Sequence, residues 1–283
     1  MSALPTCYRH PDRETGLSCS ECGRPICTEC VTYAPVGLRC PEHSGKPQGT
    51  AKVRAAVGVR GDDLVTRVLI GLNLAVFLGV AATGGSLNSA SGSTLAARWL
   101  LWGPLVAHGD WWRIITSGFL HDGIFHIGVN MYSLWILGAS LERLMGRGRY
   151  LLVYFGSLIA GSAGVLLLSW DKPTLGASGA IFGLLGAALV LERQRVITAP
   201  GLMGVLVLNL VITFAASSFI SVGGHLGGLV GGALIAIVLS RFGRGHALYG
   251  RLGPVELGGT LFIILGSFAL AEWAAHAALK SVF

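Results

Sequence analysis

The sequence predicts an all-α polytopic membrane protein preceded by a small metal-binding module, and three observations predict it. Hydrophobic residues make up 52% of the 283-residue chain and charged residues 12%, with a mean hydropathy of +0.65, far from the composition of soluble domains. Apolar stretches of helical length recur from Leu64 onward, and crossing the ~30 Å hydrocarbon core takes roughly 20 helical residues. All six cysteines lie at or before Cys40, in regular pairs with each other and with histidine.

Four ligand pairs occupy the N-terminal segment: Cys7-x2-His10, Cys19-x2-Cys22, Cys27-x2-Cys30 and Cys40-x2-His43. Two residues between ligands let a tight turn present both side chains to one ion, so each pair suits half of a tetrahedral zinc site and the set implies two structural zinc ions. A disulfide framework would need an oxidising compartment and would leave His10 and His43 unexplained. The pattern resembles a B-box-type zinc finger, which implies a cross-brace of Cys7, His10, Cys27 and Cys30 in one site and Cys19, Cys22, Cys40 and His43 in the other. Sequential pairing satisfies the same spacing. Zinc would contribute on the order of 10 kcal/mol to folding a segment too small for a sizeable apolar core. Five basic and five acidic residues balance across residues 1–50. That balance disfavours nucleic acid and fits a cytoplasmic protein partner or a structural role. The module is assigned residues 1–43, and residues 44–63, with no apolar periodicity, read as a flexible linker.

Seven spans are expected in order: Leu64–Thr83, Gly123–Leu141, Tyr150–Trp170, Ala177–Leu191, Ala199–Phe219, Val222–Leu239 and Val255–Ala274. Only a tight turn near residues 217–221 separates the fifth from the sixth. The extreme N-terminus is polar and cysteine-rich, so no secretory signal is expected.

Loop arginines set the expected orientation. Arg143, Arg147 and Arg149 follow the second span, Arg193 and Arg195 the fourth, and Arg241, Arg244 and Arg251 the sixth. The opposite connections carry only Arg98, Arg113 and Lys172. The N-terminus is therefore expected in the cytoplasm and the C-terminus outside, and this bias accounts for the net charge of +7 without nucleic acid.

Two polar residues open spans from the same expected external side: Ser178 in Gly176-Ala177-Ser178-Gly179, and His225 in Gly224-His225-Leu226-Gly227-Gly228. Glycines at helical spacing, Gly179 and Gly183 on one span and Gly224, Gly228 and Gly232 on the other, let the two helices approach closely. Such an approach would bring hydroxyl and imidazole within hydrogen-bond reach, which activating a weak nucleophile requires. Singly, each residue has a plain structural reading, since serine is common in transmembrane helices and a histidine can make a structural hydrogen bond; together, on one face, they point to a nucleophile and its base.

Gly176-Ala177-Ser178-Gly179-Ala180-Ile181-Phe182-Gly183 with Gly224-His225-Leu226-Gly227-Gly228 resembles the signature of rhomboid intramembrane serine proteases. His121, His126 with Asn130, and Trp112-Arg113 resemble further family elements in the right order. The resemblance implies a rhomboid six-helix core at 64–241, with a loop and seventh helix at 242–283. It implies a Ser178–His225 dyad working through an acyl-enzyme and needing no cofactor, with His126, Asn130 and the Ser178 N–H donating to the oxyanion. Single-span membrane proteins in the bilayer would be the substrates, cut near the external face of a multi-pass protein of the cell (plasma) membrane. Phe182, where several members carry tyrosine, would lie beneath Ser178 and stack on His225, and Arg113 and Glu142 would anchor the external loop and the cytoplasmic end of the second helix. The main competing reading is a non-catalytic rhomboid-like protein that binds transmembrane clients; a transporter would instead show midplane polar groups and a repeat.

Overall fold

The N-terminal segment builds its interior largely from thiols: five cysteines and Ile26 are buried there, with Leu17, Val31 and Leu38 packed partly buried against them. The computed structural model describes residues 4–33, 37–43, 63–194, 196–218, 220–241 and 252–282, and its packing divides the chain into two units, Met1–Val59 and Arg60–Phe283. In the first unit, strands β1 (Thr6–Cys7) and β2 (His10–Glu14) pair antiparallel with Cys7 opposite His10, and β3 (Thr32–Tyr33) pairs with β4 (Leu38–Arg39). Its buried cluster is Ile26 surrounded by Cys7, Cys19, Cys27, Cys30 and Cys40. Tyr8 and Arg9 both bind Glu42, joining the first ligand pair to the last. The Tyr8 hydroxyl, with Arg9 beside it, holds the Glu42 carboxyl down to about 2. The expected linker, apart from Asp63, lies outside the described residues, as do Arg195, Arg244 and Arg251.

The second unit contains seven long helices among its described residues: α1 (Leu64–Ala82), α2 (Ile124–Met145), α3 (Arg147–Leu168), α4 (Ser178–Arg193), α5 (Leu202–Ala215), α6 (Val222–Arg241) and α7 (Pro254–Val282). Each of the seven expected apolar segments contains a helix, but among the described residues five helices are long and apolar enough to cross a membrane. The two exceptions are α4, of 16 residues, and α5, of 14. At 1.5 Å per residue these reach about 24 Å and 21 Å, short of the ~30 Å core. The expected fifth span, Ala199–Phe219, is therefore too long: a left-handed Gly201 (φ 90°) precedes the helix, and its C-cap, Ala216, leaves helical geometry before Ser217-Ser218. α2 contains a π-helical turn at Leu134–Gly138, a one-residue expansion of the helical ladder that hydropathy does not signal.

Burial ranks the helices. The apolar window of α3 is 67% buried and that of α7 only 17%, so α3 is central and α7 peripheral. α6 lies between α3 and α4 along glycine seams where no side chain fits. A methyl on Gly228 would sit 2.0 Å from the Gly179 carbonyl oxygen, and one on Gly232 2.0 Å from that of Gly183. On the other flank, a methyl on Gly227 would sit 2.4 Å from the Ala160 carbonyl oxygen and one on Gly164 2.2 Å from that of Gly223. The backbones thus touch directly, the packing that small residues permit where lipid removes the hydrophobic drive between helices. The seam with α4 follows the expected glycines; the seam with α3 adds a second.

Buried charges pin the ends. Glu142 is buried and accepts the Val65 and Thr66 N–H groups at 2.9 and 2.8 Å and the Thr66 hydroxyl at 2.8 Å, capping the positive end of α1 as expected for its anchoring role. Asp63, buried at that end, pairs with Arg67 and Arg143. Arg149 on α3 meets Glu256 on α7 at 3.6 Å with both side chains buried.

Candidate active site

α4 begins at Ser178 after a segment that is sharply bent and fastened down. Gly176 has φ +130°, where side chains are disfavoured. A Cβ there would fall 2.9 Å from His126 Nε2 and 3.8 Å from Ser178 Oγ, so a side chain at this position would crowd the imidazole. Leu101 and Thr174 exchange backbone bonds of 2.9 and 2.8 Å, the Gly103 N–H donates to the Trp170 carbonyl at 2.9 Å, and the Gly176 N–H donates to that of Ser117 at 3.0 Å. Ser178 is half-buried on the first turn, where helix N–H groups have no intrahelical partner.

Its counterpart opens α6. The Ser221 hydroxyl accepts the Gly224 N–H at 3.1 Å, an N-cap contact that starts the helix and puts His225 in its first turn. The His225 ring stacks on Phe182 with centroids 3.8 Å apart and planes inclined by 18°. Phe182 follows Ser178 by one helical turn, and a Cβ on Gly179 would lie 3.3 Å from the Gly224 carbonyl oxygen. The residues flanking Ser178 and His225 are therefore in contact, and the two side chains belong to facing first turns.

The oxyanion candidates come from α2. The Asp122 N–H donates to His126 Nδ1 at 3.3 Å, so in the neutral ring Nε2 carries the proton, on the side of the ring next to Gly176. Asn130 is buried and gives one amide hydrogen to the His126 carbonyl at 2.9 Å, keeping a second N–H. His121 is fully buried with its ring edge-on to His126 at 5.0 Å. Burial, with His126 beside it, pushes the His121 imidazole down to about 3, which makes it a neutral packing support.

The loop between α1 and α2 is built around Arg113. That side chain is buried, pairs with Asp110 at 2.8 Å, and donates to the Ala97 and Leu100 carbonyls at 2.9 Å each. Trp112 donates its indole N–H to the Arg98 carbonyl at 3.2 Å. Both support the loop, and no bond from either reaches Ser178 or His225 among the described residues. Sequence reasoning did not anticipate the three short helices in this loop, Thr94–Trp99, Gly103–Ala107 and Arg113–Thr116. Nor did it find Thr213. Thr213 is buried on α5, and its Oγ1 lies 2.7 Å from His225 Nδ1; the available signal was the pair Asn209 and Thr213, four apart in an apolar stretch. A cavity of about 480 Å³ opens between α2, α4 and α5, with Phe182, Tyr132 and Asn209 in its lining. Phe182 thus meets His225 on one side and the cavity on another.

In the N-terminal unit, the donor atoms of Cys7, His10, Cys27 and Cys30 lie within 4.8 Å of one another, as do those of Cys19, Cys22, Cys40 and His43. Bonds of about 2.3 Å from a tetrahedral zinc ion place two sulfurs about 3.8 Å apart. Cys22 and Cys40 Sγ are 3.8 Å apart, and His10 Nδ1 is 3.3 and 3.4 Å from the Cys27 and Cys30 sulfurs. Both clusters fit the ion, and the grouping is the cross-braced one.

A Rhomboid domain model matches residues 108–242. The chain is 36% identical over 225 residues to the rhomboid protease GluP of Bacillus subtilis, covering 78% of this chain but only 42% of that protein. It is 40% identical over 139 residues to the rhomboid sequence YdcA of the same organism, across 47% of this chain and 69% of YdcA. A 90-residue stretch is 39% identical to the inactive RHOMBOID-like protein 8 of Arabidopsis thaliana, 32% of this chain and 26% of that one. The glycine-seamed helices carrying Ser178 and His225, the bent Gly176 segment and these matches converge, and the chain belongs to the rhomboid family.

Proposed function

We propose that this protein is an intramembrane serine endopeptidase that cuts transmembrane helices near their external ends. The observation that carries the reading is the stacking of His225 on Phe182, one turn from Ser178, which supports a hydroxyl and imidazole working as nucleophile and base. In the proposed cycle, Ser178 Oγ attacks the scissile carbonyl while His225 Nε2 takes its proton. His225 then passes that proton to the leaving amine, and water resolves the acyl-enzyme by the reverse transfers. The developing oxyanion would be met by the Ser178 N–H, His126 Nε2–H and Asn130, donors oriented before the reaction begins. A relative named as a rhomboid protease agrees; a relative named as inactive makes a client-binding, non-catalytic protein the competing reading.

Helix direction supports the topology. Arg143, Arg147, Arg149 and Arg193 lie at the ends of α2, α3 and α4 remote from Ser178, which by the positive-inside bias supports a cytoplasmic position for that face and an external one, at the cell membrane, for the site. A 16-residue α4, shorter than the hydrocarbon core, would let Ser178 sit recessed below the external surface, where water and an unwound substrate backbone would meet. The N-terminal unit would hold two structural zinc ions on the cytoplasmic side as a B-box-like domain at residues 1–43, available to a protein partner; zinc there would hold the fold and take no part in peptide hydrolysis.

A fluorophosphonate probe tests the nucleophile. Wild-type protein in bilayers should form a covalent adduct on the peptide containing Ser178, and His225→Ala should abolish labelling. Equal labelling of wild type and His225→Ala would remove the dyad.

A further inference from the structure

α5 touches the rest of the bundle sparingly. Of its residues only Leu202 and Thr213 are buried, whereas Val205, Val207, Leu208, Val211, Ile212 and Phe214 are exposed. A buried hydroxyl on so exposed a helix has a specific partner. Thr213 Oγ1 lies 2.7 Å from the Asn209 carbonyl oxygen and 2.7 Å from His225 Nδ1. The hydroxyl has one hydrogen, and the carbonyl can only accept it. Giving that hydrogen to Nδ1 would leave two acceptor oxygens facing each other at 2.7 Å, so the arrangement that satisfies both contacts has the hydroxyl donating to Asn209 and Oγ1 accepting from Nδ1–H. A neutral imidazole carries one proton; with it on Nδ1, the lone pair sits on Nε2.

We infer that Thr213 is a positioning residue that holds His225 in the tautomer whose Nε2 is the base. The inference rests on the proposed Ser178–His225 dyad and deepens it. The assignment is opposite to that of His126, whose Nδ1 accepts the Asp122 N–H and whose Nε2 therefore donates. One neutral histidine offers a lone pair and the other a hydrogen, each fixed by a partner on its far nitrogen. Thr213 would also accept from the imidazolium formed when Ser178 loses its proton, so its contribution falls on the chemical step and not on substrate capture.

Thr213→Val keeps the shape and removes the acceptor, while Thr213→Ser restores it. Cleavage of a single-span substrate in bilayers should show kcat for Thr213→Val reduced by roughly 2- to 10-fold with KM close to wild type, and Thr213→Ser recovering most of the loss. NMR of isotope-labelled histidine, with the His225 signal assigned by its loss in His225→Ala, should show Nδ1 protonated in the wild type and both tautomers in Thr213→Val. An unchanged kcat, or a reduced kcat with Nδ1 still fully protonated, overturns the inference. Cleavage that survives in Ser178→Ala would instead overturn the dyad, and the NMR comparison would still decide the tautomer.

Discussion

The imidazole of His225 lies flat on the ring of Phe182, 3.8 Å between centroids and 18° from parallel. One helix thereby presents a hydroxyl and, a turn later, the surface that fixes the orientation of an imidazole from another helix.

Removing that surface should slow the reaction without abolishing it. Aromatic pairs contribute about 0.5–1.5 kcal/mol beyond burial, so Phe182→Ala should lower kcat by roughly 2- to 10-fold, since about 1.4 kcal/mol is a tenfold change in rate. Phe182→Tyr, which keeps the face, should stay near wild type in the same single-span cleavage assay.

The α4–α6 seam makes a stability prediction with an internal control. A methyl on Gly232 would meet the Gly183 carbonyl oxygen at 2.0 Å, whereas one on Gly266 meets nothing within 4 Å. Gly232→Ala should cost about 1–3 kcal/mol through forced separation of the helices, and Gly266→Ala should stay within about 0.5 kcal/mol of wild type. Thermal unfolding in detergent compares the two; equal Tm values would contradict direct backbone contact along the seam.

Zinc pairing separates by double substitution. Cys7 and Cys27 share one cluster, so Cys7→Ser with Cys27→Ser should leave one zinc per chain by metal analysis, and Cys7→Ser with Cys19→Ser should leave none. Sequential pairing gives the reverse pattern. Chelation should unfold this unit, since the buried thiols form most of its interior.

Much of this was legible in the chain because motifs with fixed spacing carry their geometry with them. The glycines at 179, 183, 228 and 232 marked the seam, Phe182 fell one turn from Ser178, and Glu142 was expected as an anchor at the end of the second helix, though not as the cap of α1. Other features left weaker traces. The x2 spacing of the cysteine pairs is blind to which pairs share an ion, and only the folded chain brings Cys7 and His10 to Cys27 and Cys30. Hydropathy extended α5 across Ala199–Phe219 because it does not register the left-handed Gly201 or the turn after Ala215. Thr213 escaped notice because threonine is unremarkable in an apolar helix, and its meaning depends on a histidine twelve residues away that only the α5–α6 turn brings within 2.7 Å.

The most direct measurement of the central claim is cleavage of a single-span membrane substrate by the purified protein in lipid bilayers, wild type against Ser178→Ala and His225→Ala. The account predicts cleavage near the external end of the substrate helix by the wild type, and none by either variant while both keep the wild-type unfolding temperature. Undiminished cleavage by Ser178→Ala would contradict it.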